Sequence, residues 1–586
     1  MKELGYLNKF FLKYKYRLII GIVCTIIARI LSLFTPRLIG KSLNVVEKYI
    51  NGDITDLEIV KSKLLINILL ILGAVLLAGV FTFIMRQAII VTSRLIEFDL
   101  KNEIFEQYER LSLNFYKKNR TGDLMNRISE DVSKVRMYFG PAIMYSINMI
   151  TLFIIVISYM VQIDSTLTLY TLLPLPVLSV SIYILSRVIN NRSRIVLEYL
   201  SKLTTFTQEF FSGINVIKAY SIEKYSFKDF DDLANESKEK NISLYKAQAL
   251  FFPLMVLLIG ASNILVIYIG GMRYINGQIE SFGVIAEFII YVNMLTWPVA
   301  VVGWVTSIVQ QAEASQKRIN EFLKVKPEVQ NLIDNPTSIE GKIEFKNVSF
   351  TYDDTNIEAL KNISFSIEKG KTLAILGKTG SGKSTIANII ARLYDIKIGE
   401  VLIDDKHIKD INLADLRENI GFVPQEAFLF SDTIKNNIKF GNDNAVEDII
   451  KNAAKNAHIH HNIEEFSKSY DTFIGERGVT LSGGQKQRIS IARALIKNPQ
   501  ILVFDDCLSA VDTETEEIIL NNLNEVSKDK TTIIISHRVS STKNADFIIV
   551  LDEGKIIQKG TFNELSNQKG FYQNLYNQQL TEQTLD

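Results

Sequence analysis

The sequence predicts an all-α membrane domain of six long helices followed by a soluble α/β domain. Hydrophobic residues form 47% of the 586-residue chain, and the long apolar runs lie in its first half. Short β-rich runs such as "TLAIL" and "TTIIIS" alternate with helical stretches in the second half, which is typical of α/β domains. The length also favours two or more domains.

Charge and cysteine content argue against a nucleic-acid partner and against a disulfide bond. The net charge of +1 provides no electrostatic footprint for nucleic acid, so we expect no nucleic-acid partner. The two cysteines, Cys24 and Cys507, lie far apart in apolar or strand contexts, and we expect two unpaired thiols.

Six apolar stretches in the first half are predicted to cross a membrane. Each is near or above the ~20 residues that a helix needs to span about 30 Å of hydrocarbon. Six such runs in one half argue against buried core helices of a soluble protein. They are Leu18–Val46, Leu64–Met85, Gly140–Val161, Leu167–Leu185, Leu250–Gly270 and Phe282–Val305.

The distribution of lysine and arginine predicts the orientation in a cell membrane. The connections Arg86–Tyr138 and Ser186–Gln248 are long and charged, whereas those near Asp164 and Asn276 are very short. Both termini and the long connections are therefore expected in the cytoplasm. The opening "KELGYLNKFFLKYKYR" mixes aromatic residues with lysines, as a helix in the membrane interface does. Basic residues before the first span are Lys2, Lys9, Lys13, Lys15 and Arg17.

The long connections are predicted to continue as helices for ~38 Å beyond the membrane. Their turns, in Asn114–Arg136 and Gly213–Tyr225, are the expected contacts with the soluble domain. We expect a transmembrane domain over residues 1–324, a proline-containing linker over 325–341, and a nucleotide-binding domain over 342–586.

A glycine-rich segment, "GKTGSGKST", follows the strand "TLAIL" and opens a helix, which is the context of a P-loop. Its backbone amides and the helix N-terminus are expected to bind phosphates. Lys383 is expected to reach the β- and γ-phosphates, and Ser384 to hold Mg²⁺, with Asp505 as a second Mg²⁺ contact. The segment comprises Gly377, Lys378, Thr379, Gly380, Ser381, Gly382, Lys383, Ser384 and Thr385.

The segment "LSGGQ" (Leu481–Gln485), followed by "QKQRISIARAL", resembles the signature motif of ABC transporter ATPases. The resemblance implies that Tyr352 in "VSFTY" stacks on the adenine of ATP. It also implies that Gln425 in "GFVPQ" acts at Mg²⁺ and at the membrane-domain interface, and that His537 is the switch histidine. Two further segments match the family, "GERG" (Gly475–Gly478) and the D-loop "SAVD" (Ser509–Asp512).

Nearly the whole chain resembles ABC exporters, because "FYKKNRTGDLMNRISEDV" and "GINVIKAY" look like their intracellular loops. The resemblance implies half of a transporter, in which each ATP lies between one P-loop and the partner's signature. It further implies an amphipathic substrate (a drug, lipid or peptide) and contact with membrane lipid. Residues expected to serve the partner's ATP are Ser482, Gly483, Gly484 and Gln485.

Asp506 departs from this pattern, because the family has a glutamate there that polarises the attacking water. The aspartate side chain is one methylene shorter, so its carboxylate does not reach the position of the glutamate carboxylate. A misplacement of about 1 Å can cost on the order of 100-fold in rate. We therefore expect a degenerate ATP site, as in heterodimeric ABC exporters, and a non-identical partner that has the glutamate. The presence of His537 departs in part from the pattern of degenerate sites, since many of them lose this histidine.

Alternative functions differ at identifiable features. A homodimeric lipid or drug flippase with two equivalent, slow ATP sites shares every motif and differs only at Asp506. A non-transporting ATPase is excluded by six spans, and an ABC importer normally keeps its ATPase on a separate chain.

Two charges inside the spans suggest a feature of the transport path. Arg29 is expected ~18 Å deep from the cytoplasmic side. Glu287 is expected ~9 Å from the outer face, or about 21 Å from the inner face. Since buried charges are costly unless paired, an Arg29–Glu287 pair is a hypothesis. Alternatively, each meets another polar group, or the first span runs past the membrane.

Overall fold

The computed structural model describes residues 3–475, 478, 480–509 and 511–583. These residues form two compact units. The first contains the described residues up to Tyr108 together with Gly122–Lys324. The second contains Glu109–Thr121 and the described residues from Val325 onward.

The first half of the chain is helical. After a 3₁₀ turn over Glu3–Leu7, its helices are α1 Asn8–Lys13, α2 Lys15–Ser32, α3 Phe34–Ile50, α4 Leu57–Arg110, α5 Leu113–Lys118, α6 Thr121–Asn126, α7 Val132–Met137, α8 Ile143–Ile163, α9 Ser165–Leu172, α10 Pro174–Ser212, α11 Ile214–Tyr220, α12 Glu223–Ala249, α13 Phe251–Ile275 and α14 Gly283–Leu323. Two π-helical turns, Arg127–Asp131 and Tyr138–Ala142, flank α7.

Six helical segments of the described chain are long and apolar enough to cross a membrane, so the prediction of six spanning helices is confirmed. They are Lys15–Ile50, Leu57–Arg110, Thr121–Ile163, Ser165–Ser212, Glu223–Ile275 and Gly283–Leu323. The 54 residues of α4 correspond to about 81 Å of helix, far more than the ~30 Å of hydrocarbon. The long helices therefore continue beyond the membrane, as the sequence predicts.

The N-terminal segment packs against its own unit. Leu4, Leu7 and Phe10 are buried. Lys9 and Lys13 pair with Glu103 and Asp99, respectively, both on α4. The basic residues of this segment thus fix it to α4.

The predicted Arg29–Glu287 pair is wrong. The guanidinium of Arg29 donates from Nε and Nη2 to Oδ1 of Asn148, at 3.0 and 2.9 Å. Glu287 is buried on α14 against α3, where a Cβ on Gly40 would lie 2.9 Å from its Cγ. Arg29 lies on α2, whereas Glu287 contacts α3. Similar depth in the membrane therefore did not place the two side chains on facing helices.

The second unit contains two sheets. The strands are β1 Ile343–Thr351, β2 Glu358–Ile367, β3 Thr372–Gly377, β4 Ile398–Ile403, β5 Lys406–His407, β6 Ile420–Val423, β7 Ile501–Asp505, β8 Thr531–Ile535, β9 Phe547–Asp552 and β10 Lys555–Gly560. A four-stranded antiparallel sheet has the order β2-β1-β4-β5. A six-stranded sheet has the order β10-β9-β3-β8-β7-β6 and is parallel except for β10.

Helices complete this α/β unit. They are α15 Lys383–Ile390, α16 Leu413–Glu418, α17 Ile434–Lys439, α18 Glu447–Asn456, α19 His460–Glu464, α20 Gly483–Leu495, α21 Thr513–Val526, α22 Phe562–Asn567 and α23 Phe571–Gln583. Every residue of β7 and β8 is buried, which is typical of central parallel strands and explains their continuous apolar runs.

The parallel strands β3, β8 and β7 are neighbours and end at the same edge of the sheet. The P-loop segment follows β3, Asp505 ends β7, and His537 lies two residues after β8. Ligands of open α/β sheets bind outside this carboxyl edge. The topology therefore places the P-loop, Asp505 and His537 together at one edge of the sheet.

Candidate active site

The P-loop wraps around the start of α15, and two of its glycines are required sterically. Gly377 has φ +153° and Gly382 has φ +99°. A Cβ at Gly377 would lie 2.2 Å from the carbonyl oxygen of Leu551, and one at Gly382 would lie 2.3 Å from that of Ala359. Any side chain at these two positions would displace the backbone, so the loop keeps its cradle shape only with glycine.

Lys383 occupies the inside of this loop. Its Nζ donates to the carbonyl oxygens of Gly377 and Lys378, at 2.8 and 2.9 Å. Burial lowers the pKa of this lysine, while the nearby charges of Asp506 and Asp505 act in the opposite direction. The ammonium group is thus held by neutral carbonyls that phosphate oxygens could replace, with a gain in electrostatic stabilisation.

Ser381 shows that the loop suits a phosphate ligand. Its Oγ is buried and has no hydrogen-bond partner in the part of the chain that the structure describes. Buried hydroxyls are normally satisfied, so an unsatisfied one needs an explanation. A bound phosphate oxygen would accept this hydrogen bond. Lys378, Thr379 and Gly380 are exposed at the tip of the same loop, where their amides are accessible.

Ser384 and Asp505 form a pair of oxygen donors. The Oγ of Ser384 donates to Oδ1 of Asp505 at 2.9 Å. Burial raises the pKa of Asp505, and the hydrogen bond from Ser384 opposes that rise. A hydroxyl beside a carboxylate suits Mg²⁺, which prefers hard oxygen ligands and keeps several waters. The two residues therefore fit the metal that the P-loop pattern implies.

Asp506 lies at the centre of a second group of side chains. Its Oδ2 accepts a hydrogen bond from Nε2 of Gln425 at 3.3 Å and lies 3.7 Å from Nε2 of His537. Burial raises the pKa of the carboxyl, opposed chiefly by the charges of His537 and Lys383. Gln425 therefore reaches Asp506 rather than the Ser384–Asp505 pair.

The backbone of Asp506 is fixed as firmly as its side chain. Its φ is +45°, a left-handed conformation that aspartate tolerates better than most residues. Its N–H donates to the carbonyl oxygen of Ile535 at 2.9 Å, which extends the β7–β8 ladder by one bond. Its carbonyl accepts from the Oγ of Ser509 at 3.0 Å. These bonds restrict movement of the main chain toward the P-loop.

Comparisons with known proteins decide the family. The family described as "ABC transporter transmembrane region" matches residues 18–299, and that described as "ABC transporter" matches residues 360–509. The chain is 32% identical over 587 residues to "Multidrug resistance-like ATP-binding protein MdlA" of Escherichia coli (strain K12), covering 100% of this chain and 98% of that protein. The chain belongs to the ABC transporter family.

Two further similarities concern this ABC transporter. It is 34% identical over 583 residues to "Probable multidrug resistance ABC transporter ATP-binding/permease protein YheI" of Bacillus subtilis (strain 168), covering 99% of this chain and 97% of the relative. A solved structure, "Structure of a bacterial Atm1-family ABC exporter with ATP bound", has a TM-score of 0.79, 25% identity, and coverage of 96% and 98%. The chain is thus an exporter-type half-transporter, and its ATPase domain couples ATP hydrolysis to transport.

The signature segment of the transporter is built differently from the P-loop. The hydroxyl of Ser482 accepts from the N–H of Gln485, and the Gln485 side chain accepts from the N–H of Ser482, at 3.3 and 3.0 Å. This reciprocal capping box begins α20. Ser482 and Gly483 are exposed, and Gly484 is half-buried. Among the described residues, no hydrogen bond joins this segment to the P-loop of the same chain.

Two family segments fall partly outside the described residues. These are "GERG", of which Glu476 and Arg477 are not described, and the D-loop, of which Ala510 is not described.

Tyr352 lies in an aromatic cluster at the edge of the site. Its hydroxyl lies 3.0 Å from Oγ1 of Thr385, and its ring makes edge contacts with Phe350 and Tyr394. The Nζ of Lys117 lies 4.5 Å from the centre of the Tyr352 ring. The ring is thus fixed in orientation, as a stacking platform must be.

Sequence reasoning missed Lys117 and Tyr394 as neighbours of Tyr352. Lys117 is on α5, in the segment that packs with the second unit, and Asn114 of the same helix donates to Glu328 at 2.8 Å. The segment "FYKKNR" was predicted to touch the soluble domain, but nothing in the sequence identified the aromatic ring that it contacts.

Proposed function

We propose that this half-transporter exports an amphipathic substrate by alternating access as one half of a heterodimer, in which its own ATP site is degenerate. The single observation that carries the proposal is Asp506, which occupies the position of the family's catalytic glutamate. The names of the relatives, both of which include multidrug resistance, support a drug-like substrate.

The short side chain of Asp506 is not compensated by the backbone. A glutamate would extend the carboxylate by one methylene, which is more than the ~1 Å that can cost on the order of 100-fold in rate. The bond from its N–H to Ile535 holds the main chain in the sheet. The carboxylate is also engaged by Gln425. The proposed consequence is a site that binds ATP well and hydrolyses it slowly.

The other residues of this site keep the roles that binding requires. Lys383 and the P-loop amides bind the phosphates, and Tyr352 stacks on the adenine. Ser384 and Asp505 would hold Mg²⁺, which would supply positive charge at the phosphates, while Gln425 binds Asp506 beside them. His537 lies 3.7 Å from Asp506, and its ring would donate a hydrogen bond to the γ-phosphate. Only the group that positions water is altered, which favours a slow site over an empty one.

The signature segment is proposed to complete the partner's ATP site. The capping box begins α20 with Ser482 and Gly483 exposed, and no hydrogen bond among the described residues joins them to the P-loop of the same chain. The positive end of α20, at its N-terminus, suits an anionic phosphate supplied from outside. An intact signature beside a weak catalytic carboxylate is the division of labour expected when the partner carries the glutamate.

The remaining assignments follow from the same proposal. Residues 1–324 form the membrane domain, 325–341 the linker and 342–586 the ATP-binding domain. The chain lies in the cell membrane with both termini in the cytoplasm, because basic residues precede its first span.

The experiment compares the purified chain alone with its complex with a similar half-transporter encoded by a neighbouring gene. We expect slow ATP hydrolysis by the chain alone and rapid hydrolysis by the complex. Asp506→Asn should leave the rate of the complex nearly unchanged. Robust turnover by the chain alone, undiminished by Asp506→Asn, would contradict the degenerate-site proposal.

The second candidate is a homodimeric flippase with two equivalent, slow sites. The observation that favours it is His537, which is retained and lies 3.7 Å from Asp506. This candidate predicts that the chain alone forms dimers, and that Asp506→Asn abolishes its residual hydrolysis. The same assay therefore separates the two functions.

A further inference from the structure

A cavity of about 330 Å³ lies inside the membrane unit, lined by residues of α2, α4, α8 and α14. Its size is within the range of small-molecule sites. We propose that this cavity binds the anionic head of an amphipathic substrate through Arg29 and Arg86. The proposal rests on the proposed export function and names the chemical class of its substrate.

The two arginines give the cavity a positive charge that no carboxylate neutralises. Its lining contains Arg29 and Arg86 but no aspartate or glutamate. Among the described residues, Arg29 donates only to the neutral amide oxygen of Asn148. For Arg86, the described part of the chain provides no side-chain hydrogen bond and no ion pair. Both guanidinium groups thus retain donors for a ligand.

Two other arginines of the same unit lie beside carboxylates, unlike Arg29 and Arg86. Arg273 pairs with Asp164 at 3.0 Å, and Arg136 lies 3.4 Å from Glu97. A charge within a membrane span is expensive unless it is paired or faces a wet cavity, and such residues mark substrate pathways. Arg29 lies within the first apolar stretch, where an anionic ligand would supply the missing partner.

The rest of the lining suits an apolar body attached to an anionic head. Methionine and aromatic side chains adapt to varied apolar shapes, and asparagines add neutral hydrogen-bonding groups. Arg86 directly follows the second apolar stretch, Leu64–Met85. Its guanidinium therefore marks the part of the cavity that lies near the C-terminal end of that stretch. The apolar lining includes Met85, Met144, Met149, Met294, Tyr145 and Trp297.

The chain contains a built-in reporter of binding. It has two tryptophans, Trp297 and Trp304, and Trp297 lines the cavity. In a Trp304→Phe background, Trp297 is the single tryptophan. Energy transfer from Trp297 to a dansyl group then measures occupancy. Because Trp304 contacts Tyr145 of the same lining, it also lies near the cavity. The Trp297→Phe, Trp304→Phe double variant, which has no tryptophan donor, is therefore the control for dansyl fluorescence that does not come from energy transfer.

The experiment uses two dansyl amides that differ in head charge, N-dansyl-β-alanine with a carboxylate and a dansylaminoethyl probe with a trimethylammonium group. The full-length Trp304→Phe chain is titrated with each probe in phosphatidylcholine nanodiscs without nucleotide. We expect the anionic probe to bind about tenfold or more tightly than the cationic one. Equal affinities, or tighter binding of the cation, would overturn the proposal.

Charge variants test the residues. Arg86→Gln breaks no hydrogen bond or ion pair among the described residues, and Arg29→Gln can still donate to Asn148. Each should weaken the anionic probe about tenfold, and the Arg29→Lys, Arg86→Lys double variant should recover much of the affinity. Arg17→Gln, which removes a positive charge before the first span, should change nothing. Anion affinity that is insensitive to both glutamine variants would overturn the assignment.

Two further arms separate the possible sources of the anion and the two proposals. Phosphatidylglycerol in the nanodiscs should weaken the probe if an anionic lipid headgroup occupies the cavity, and should leave it unchanged if a free amphipathic anion does. Either result supports an anion site and decides its source. Anion binding without any ATP hydrolysis, even with the partner, would contradict the export function and leave the site standing. Hydrolysis without anion binding would contradict the site alone.

Discussion

The two parts of this chain that serve ATP, the P-loop group and the signature segment, are built in opposite ways. The P-loop group is buried and charged, with Lys383, Asp505 and Asp506 close together. The signature segment is uncharged, exposes Ser482 and Gly483, and satisfies its backbone donors with its own capping box. One part therefore carries electrostatic cost without its ligand, and the other does not.

This difference shows where each part acts. Desolvated charges and left-handed backbone are typical of a site that is organised before its ligand arrives. An exposed helix terminus whose backbone N–H groups are already capped is instead typical of a surface that binds a partner. Substitutions in the P-loop group should change the properties of this chain by itself. Substitutions in the signature should change ATP hydrolysis only in the assembled transporter.

The largest expected effect is that of Ser482→Arg in the complex. The new side chain blocks the surface that meets the partner's ATP, so ATP hydrolysis should fall by on the order of 100-fold or more. A phosphate-release assay measures it.

The matched control is Thr561→Arg, because Thr561 begins α22 with the same type of capping box. Both variants lose a cap worth about 1 kcal/mol, but only Ser482 is expected at an ATP. Similar losses of hydrolysis from the two would show that Ser482 contributes only helix stability.

The next effect is a gain. Asp506→Glu restores the missing methylene, and hydrolysis at this chain's own site should rise by about 10- to 100-fold. The rate is measured in a complex whose other site is inactivated by Ser482→Arg. Asp506→Asn in the same background should give no gain. If the glutamate variant stays as slow as the asparagine variant, the short side chain is not the cause of slow turnover.

A smaller effect is expected at Tyr352, the aromatic residue beside the P-loop. Loss of base stacking in Tyr352→Ala should weaken binding of a fluorescent ATP analogue by about tenfold. Tyr352→Phe keeps the ring and loses only the 3.0 Å contact with Thr385, so its affinity should stay near that of the unmodified chain. Equal weakening by both would assign the effect to the hydroxyl group.

The smallest effect concerns stability without nucleotide. Burial raises the pKa of Asp505 above that of the unfolded chain. The contribution of this carboxyl to stability is therefore full below the usual aspartate pKa of about 3.9 and is lost as pH rises through the raised value. At neutral pH, Asp505→Asn should raise the Tm of the nucleotide-free chain by about 2 °C, and the gain should shrink on acidification.

Asp546 is a control with the opposite sign. Although burial alone would raise its pKa, the N–H of Thr372 and the ammonium of Lys371 lower it. Its contribution is present above the usual aspartate pKa and is lost as pH falls. Asp546→Asn should therefore lower the Tm at neutral pH. A fall in Tm for both variants would mean that the Asp505 carboxylate stabilises the fold.

The sequence was sufficient where the signal is local. Hydropathy identified six spans because each is a continuous run, and the P-loop was identified because its glycines, lysine and serine are contiguous between a strand and a helix. The order of the strands then places Asp505 and His537 at the same sheet edge.

The sequence was insufficient where the contact depends on helix packing. Arg29 meets Asn148, because the rotation of α2 and its choice of neighbour are not encoded by depth in the membrane. Lys117 reaches Tyr352 across more than 200 positions of the chain, and no spacing rule connects a lysine with a distant tyrosine ring. The positions of both were set by tertiary structure.

The most direct test of the asymmetry between the ATP sites is a single-turnover measurement on the complex. The transporter is loaded with one labelled ATP for each of its two sites, Mg²⁺ is added, and the reaction is quenched over time. We expect two phases of equal amplitude whose rates differ by about 100-fold. Asp506→Glu should merge them into one. A single phase in the unmodified complex, in which both ATP molecules are hydrolysed at the same rate, would show that the two ATP sites are equivalent.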